Sequence, residues 1–154
     1  MNRFEELAGP TVVPTRRRQA VRLAAAALSA LVAVLYLLIG FGQLYFIDSA
    51  QEGAAALIFF GLPAGASFML GTVLLVMTDR RRLWIAGAAF QVFAIVAYIQ
   101  VAPRRTPPFE MWGILIKALQ VGILAALLYL IVDAAAVRAG SRGPEPGPPP
   151  GALS

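Results

Sequence analysis

Three stretches of this chain, Leu23 to Ile47, Ala54 to Thr78 and Leu83 to Ala102, hold no charged residue at all, and a fourth, Met111 to Val132, holds only Lys117. A helix rises about 1.5 Å per residue, so about 20 apolar residues cross the roughly 30 Å hydrocarbon layer of a bilayer. Each stretch is long enough, and none leaves a polar face for water. The pattern predicts an all-α membrane protein: an antiparallel four-transmembrane-helix bundle. Its helices run over about 22–47, 54–78, 83–102 and 110–134, within a domain spanning 20–137.

The fourth span has to carry its lysine. A lysine at a helix centre costs about 2.5–3.5 kcal/mol on the insertion scale, while each Leu, Ile or Val returns about 0.3 to 0.6 kcal/mol. The stretch holds twelve of these apolar residues, and Lys117 lies off its centre, so insertion is favoured. The first span is preceded by Arg16, Arg17 and Arg18, as a signal peptide would be, but its apolar run exceeds the usual signal-peptide core of about 7–15 residues and reads as a retained anchor.

Arginine placement sets the expected orientation. With the N-terminus inside, the cytoplasmic segments carry Arg3, Arg16, Arg17, Arg18, Arg22, Arg80, Arg81, Arg82, Arg138 and Arg142; the outer loops carry Arg104 and Arg105. The positive-inside rule therefore puts both termini in the cytoplasm. Residues 1–19 and the Pro/Gly-rich 138–154 are expected to be disordered cytoplasmic tails. Trp84 and Trp112 open spans, and Tyr45 and Tyr129 lie near span ends, as an interfacial aromatic belt requires. Pro63 is expected to kink the second helix.

Composition narrows the chemistry. The chain is 59% hydrophobic and 14% charged, and it has neither cysteine nor histidine. Thiolate nucleophiles, zinc-thiolate sites and iron–sulfur clusters need the first; imidazole-ligated haem and histidine bases need the second. No paired carboxylates, phosphate-binding glycine loop or nucleophile with its base is present, and no Asp or Glu falls inside the four apolar stretches that end at Ile47, Thr78, Ala102 and Val132. No catalytic residue and no cofactor is expected. The net charge of +5 reads as topology control and attraction to anionic lipid rather than as a nucleic-acid surface. The arginine-rich, Ala/Gly/Pro-rich composition points to a bacterial cytoplasmic membrane, with the bilayer as first partner and a membrane protein or a second copy as the other.

Helix contacts in lipid rely on small residues and interhelical hydrogen bonds. Residues at three- and four-residue steps define faces: Ser29, Ala33, Tyr36, Gly40 and Gln43 on the first helix; Gly61, Gly65, Phe68 and Thr72 on the second; Gly87, Gln91, Ala94 and Tyr98 on the third, with Gln100 opposite Gln91; Glu110, Gly113, Lys117 and Gln120 on the fourth. Gly40, Gly61, Gly65 and Gly87 are the packing glycines, and Arg80, Arg81 and Arg82 the topology signal. A candidate polar cluster of Lys117, Gln120, Gln43, Gln100 and Gln91 opens outward. It has two readings: amides that hydrogen-bond across the bundle, with Lys117 snorkelling or paired to Glu110 or Asp48, or a ligand site in which the amine holds an anionic headgroup or a quinone carbonyl.

The segment Arg22 to Leu44, with its leading arginine and Gly40 and Gly42 near its end, followed by Gly71 to Arg82 ahead of a third helix, resembles DoxX-type small four-helix bacterial membrane proteins over roughly half the chain. The resemblance implies a four-helix fold and a link to quinone-linked redox complexes. Where it also leads one to expect an acidic residue in the second helix, this chain has Ser67 and Phe68. Taken together, the sequence reads as a non-enzymatic accessory or scaffold component of a membrane complex, with a small-molecule, lipid or quinone binder using Lys117 as the alternative.

Overall fold

The computed structural model describes residues 15–44, 49–104 and 111–141. The expected tails, Tyr45, Asp48, Arg105 and Glu110 lie outside them. Among the described residues the chain forms four α-helices, α1 (Arg16–Gly40), α2 (Ser49–Met77), α3 (Arg81–Val101) and α4 (Met111–Ser141), with a 3-10 turn over Ala102–Arg104 and no strand. All four are long and apolar enough to cross a membrane.

Helix ends depart from the expected boundaries for local reasons. α1 starts at Arg16 rather than near residue 22, because Thr15 caps it: the Thr15 hydroxyl accepts a hydrogen bond from the Arg18 N–H at 3.3 Å. The three arginines are therefore the helix's first turn, not part of a tail. α1 stops at Gly40, since Gly42 takes φ 67°, a left-handed backbone that only glycine adopts without strain. Gln43 is thus outside the helix. α2 runs through Pro63 as one helix. α4 continues to Ser141, past the expected 134, because Asp133-Ala-Ala-Ala-Val-Arg-Ala is rich in good helix formers. The apolar, span-length part of α4 runs over Met111–Val137 and takes in Asp133, just past the stretch ending at Val132 that was expected to hold no carboxylate.

The helices meet as neighbours in the order α2, α1, α4, α3. Contacts between α1 and α2 run in opposite directions along the two helices. Gly40 lies on Gly61, Leu37 covers Gly65, and Ser29 bonds Phe68 further down. A Cβ on Gly61 would sit 2.5 Å from the Gly40 Cα, so the two backbones touch at a point that admits no side chain. α3 and α4 are also antiparallel: Leu127 lies against Gly87, and the Tyr98 ring occupies the space beside Gly113. α2 and α3, although joined by only Thr78, Asp79 and Arg80, hardly touch along their lengths.

The core is built from the faces turned inward: Ala25, Val32, Ala33, Tyr36 and Ile39 of α1; Phe68 and Leu75 of α2; Trp84 and Ala88 of α3; Ile116, Ile123, Leu127 and Leu130 of α4. Large apolar residues such as Phe59, Leu70, Phe93 and Ile99 are exposed. In a bilayer that outer surface meets lipid tails.

Candidate functional site: an apolar cleft flanked by two polar hubs

Polar side chains gather at two levels. At the first, the Lys117 ammonium donates to Gln120 Oε1 at 2.6 Å, to the Ala94 carbonyl at 3.3 Å and to the Tyr36 hydroxyl at 3.4 Å. Gln120 Nε2 donates to the same Tyr36 hydroxyl at 3.5 Å, and the ammonium lies 5.1 Å from the centre of the Tyr98 ring. A lysine ammonium has three donors, and three oxygens from α1, α3 and α4 meet them. No described carboxylate pairs with it. The amine is directed into the interior, not outward along its helix as snorkelling would require.

This hub gathers only part of the expected cluster. Gln120 is fully buried within it. Gln91 is also buried, but its Oε1 has no hydrogen-bond partner. Gln43 and Gln100 are exposed and make no bond to Lys117. Their absence has simple causes: Gln43 lies beyond the end of α1, and Gln100 is on the side of α3 away from Gln91 and Tyr98. Tyr36 and Tyr98 are the members that the sequence reading placed on helix faces without assigning to the cluster. Their three- and four-residue spacing from the other face residues was the available signal.

At the second level, near the Asp79 turn, Arg18 reaches every other part of the molecule. It bonds Asp79 at 2.9 Å in the α2–α3 turn, lies 3.8 Å from Asp133 of α4, and stacks its guanidinium 5.0 Å from the centre of the Trp84 ring of α3. Arg22 adds a second contact to Asp79 at 3.9 Å. Arg17 lies 5.2 Å from the centre of the Tyr129 ring. Arginine suits this work because its flat cation both stacks on rings and forks to carboxylates. The belt expectation for Trp84 is corrected: it is 2% exposed, covered by Arg18 rather than facing the headgroups. Asp79 and Asp133 had no assigned role in the sequence. Each is an acid beside an arginine-rich segment end, which was the only hint.

Between the hubs, the gap separating α2 from α3 forms a cleft of about 290 Å³. Its walls include Ser67, Leu70 and Leu74 of α2 and Trp84, Gly87 and Phe90 of α3, with Ile123 and Leu127 of α4 behind. The rims at Leu70 and Phe90 are exposed, so the cleft opens sideways to the surroundings. A chain of rings closes it off from the lysine hub: Tyr36 stacks on Phe68 at 5.6 Å, and Phe68 meets Phe90 edge-on at 5.7 Å. Gly71 and Gly87 widen the interior. A Cβ on Gly71 would meet only the Ser29 hydroxyl, at 3.5 Å. Two polar groups in the lining have no partner, Gln91 Oε1 and the Trp84 indole N–H, and both residues are at most 4% exposed. Buried polar atoms are nearly always paired, so these two, one acceptor and one donor, are exceptions in the cleft lining.

Comparison of the chain with known protein families, with curated proteins and with solved structures finds no match in any of the three.

Proposed function

We propose that this chain is a non-enzymatic four-span protein of a bacterial cytoplasmic membrane, with both termini in the cytoplasm, that takes up the apolar chain of a membrane amphiphile through the opening between α2 and α3. One observation carries this reading: two helices joined by a three-residue turn part to leave a lateral cleft of about 290 Å³ lined by apolar side chains. That volume accommodates about ten groups of water size at about 30 Å³ each, which suits one hydrocarbon chain. A second helix, about 10–12 Å across with its side chains, is too wide. An empty gap in the hydrocarbon layer forfeits dispersion contacts on both walls, and a lipid tail restores them.

The lysine hub supports the same conclusion by exclusion. Its ammonium already has three oxygen partners, so binding a ligand there means breaking bonds between helices. The test is to fill the cleft. Gly71→Leu should remove co-purified lipid or other amphiphile from the protein, as read by native mass spectrometry after mild detergent extraction. Unchanged retention overturns the reading.

An accessory role within a larger membrane complex retains one specific support. α3 packs extensively only on α4, leaving Ile85, Val92, Phe93, Val96 and Ile99 exposed along its outer side. A stoichiometric protein partner in the same extract, still present in the Gly71→Leu variant, would favour that reading over the cleft.

A further inference from the structure

We infer that the cleft selects an anionic phospholipid, whose phosphate is seated at the N-terminus of α3 while one acyl chain runs down between α2 and α3. This rests on the cleft reading above and adds the identity of the headgroup.

The start of α3 lacks a side-chain cap: Arg80 precedes the helix and gives none, and the first turn contains no acid. The Leu83 and Trp84 N–H groups turn back to the Arg80 carbonyl, at 3.0 and 3.4 Å, whereas those of Arg81 and Arg82 find no acceptor among the described residues. A helix start with free N–H groups and an uncompensated dipole favours an anion. Here it also carries three consecutive guanidiniums, a fork geometry suited to phosphate oxygens.

A second observation points to the same ligand from inside the protein. Trp84, in that same first turn, lines the cleft, is 2% exposed, and its indole N–H has no acceptor. The Arg81 Nε is likewise buried without one. Both are donors only, so each lacks an acceptor, and the Trp84 donor belongs to the cleft lining. A phosphodiester at the head of an acyl chain supplies that acceptor. A quinone entering by this route would leave the arginine charge uncompensated.

The surrounding charges do not cancel the site. Asp79 is the acid nearest Arg80, and its oxygens are held by Arg18 at 2.9 Å and Arg22 at 3.9 Å. Asp133 lies against Arg18 at 3.8 Å. Against these two acids stand, among the described residues, Arg16, Arg17, Arg18, Arg22, Arg80, Arg81 and Arg82. A topology signal needs only positive charge, whereas the geometry described here needs the arginine fork and the indole donor.

The experiment exploits that difference. The full-length protein, stripped of lipid in detergent, is offered equal amounts of phosphatidylglycerol and phosphatidylcholine with identical chains, and the retained lipid is counted by native mass spectrometry. Both lipids carry the phosphodiester, and the choline cation of phosphatidylcholine is what the arginine cluster opposes, so the native protein should favour phosphatidylglycerol by about tenfold. Arg81→Lys with Arg82→Lys, which keeps the charge and hence the topology, should keep that preference but lower retention of both lipids several-fold, because the fork to the shared phosphodiester is lost. Trp84→Phe should lower retention of both lipids by a smaller factor. Gly71→Leu, with Leu74→Trp as an independent filler of the cleft, should lose both lipids.

Equal retention of both lipids by the native protein, with loss of both in the filled variants, overturns the headgroup assignment and leaves the cleft reading intact. Retention that is unchanged in both the lysine pair and Trp84→Phe also overturns it. Retention of both lipids in the filled variants overturns the cleft itself. Displacement of phosphatidylglycerol by inorganic phosphate alone would show an anion site without an acyl chain, and overturns the proposal as well.

Discussion

The α1–α2 seam and the α2–α3 seam are built from the same helix and end differently. α1 and α2 are separated by residues 41–48, yet they close until backbone touches backbone at Gly40 and Gly61. α2 and α3 are separated by Thr78, Asp79 and Arg80 only, yet they stand apart. A short connection usually makes its two helices antiparallel packing partners. Here it makes them neighbours at one end and leaves a cleft along the rest. What differs is where the small residues face and where the polar bonds pull. On the first seam glycine faces glycine. On the second, Gly71 and Gly87 line the gap instead of meeting, and α3 is drawn to α4 by Lys117 bonding the Ala94 carbonyl and by Tyr98 filling the space beside Gly113.

The sharpest way to break this comparison is to place the same methyl group on each seam. Gly61→Ala puts a carbon 2.5 Å from the Gly40 Cα, and should destabilise the protein by about 1–3 kcal/mol as an overpacked contact. Gly71→Ala meets only a hydroxyl at 3.5 Å and gains helix propensity, so it should be neutral or stabilising by up to about 1 kcal/mol. Thermal unfolding in one detergent compares the two directly. Equal effects would mean that the two seams do not differ in tightness.

A smaller effect is expected from Lys117→Met. Interhelical polar contacts in membranes are worth about 0.6 kcal/mol on average, so the loss should be about 1 kcal/mol, partly returned because no ammonium is then held in the hydrocarbon layer. Lipid retention should not change, because Lys117 does not line the cleft. Loss of lipid in this variant would shift the site to the lysine hub. The smallest effect is that of Asp79→Asn. Asp79 is one-third exposed, so losing its pairing with Arg18 and Arg22 should cost roughly 0.5 kcal/mol or less, while freeing Arg22 and leaving Arg18 to Asp133 alone. Phosphatidylglycerol retention should rise slightly, and a fall would place Asp79 within the site as an organiser of the arginines.

Much of this arrangement is visible along the chain. The face residues Ser29, Ala33, Tyr36 and Gly40 are all buried in α1, and Gly61, Gly65 and Phe68 are buried in α2, because a period near 3.6 places them on one side. Lys117 with Gln120 is legible for the same reason. The hub's other half is not, since Tyr36 and the Ala94 carbonyl are 81 and 23 residues away in sequence. Gln43 and Gln100 show the limit of counting steps: one fell beyond a helix end set by the positive φ of Gly42, and the other pointed outward. Trp84 has the sequence position of a belt residue, but the Arg18 guanidinium lies over its ring.

Hydropathy alone determined that four helices of membrane-spanning length form, because burying backbone amides in hydrocarbon leaves a long apolar segment little choice but a helix. Face periodicity determined which side of each helix carries its small and polar residues. Only the tertiary structure decided which faces meet and which part. That outcome depends on sub-ångström fit between side chains distant in sequence, as at Gly40 and Gly61, and on where one ammonium and one guanidinium find their oxygens. Neither is encoded in the order of residues along a single helix. The cleft between α2 and α3 is therefore a property of the assembled molecule.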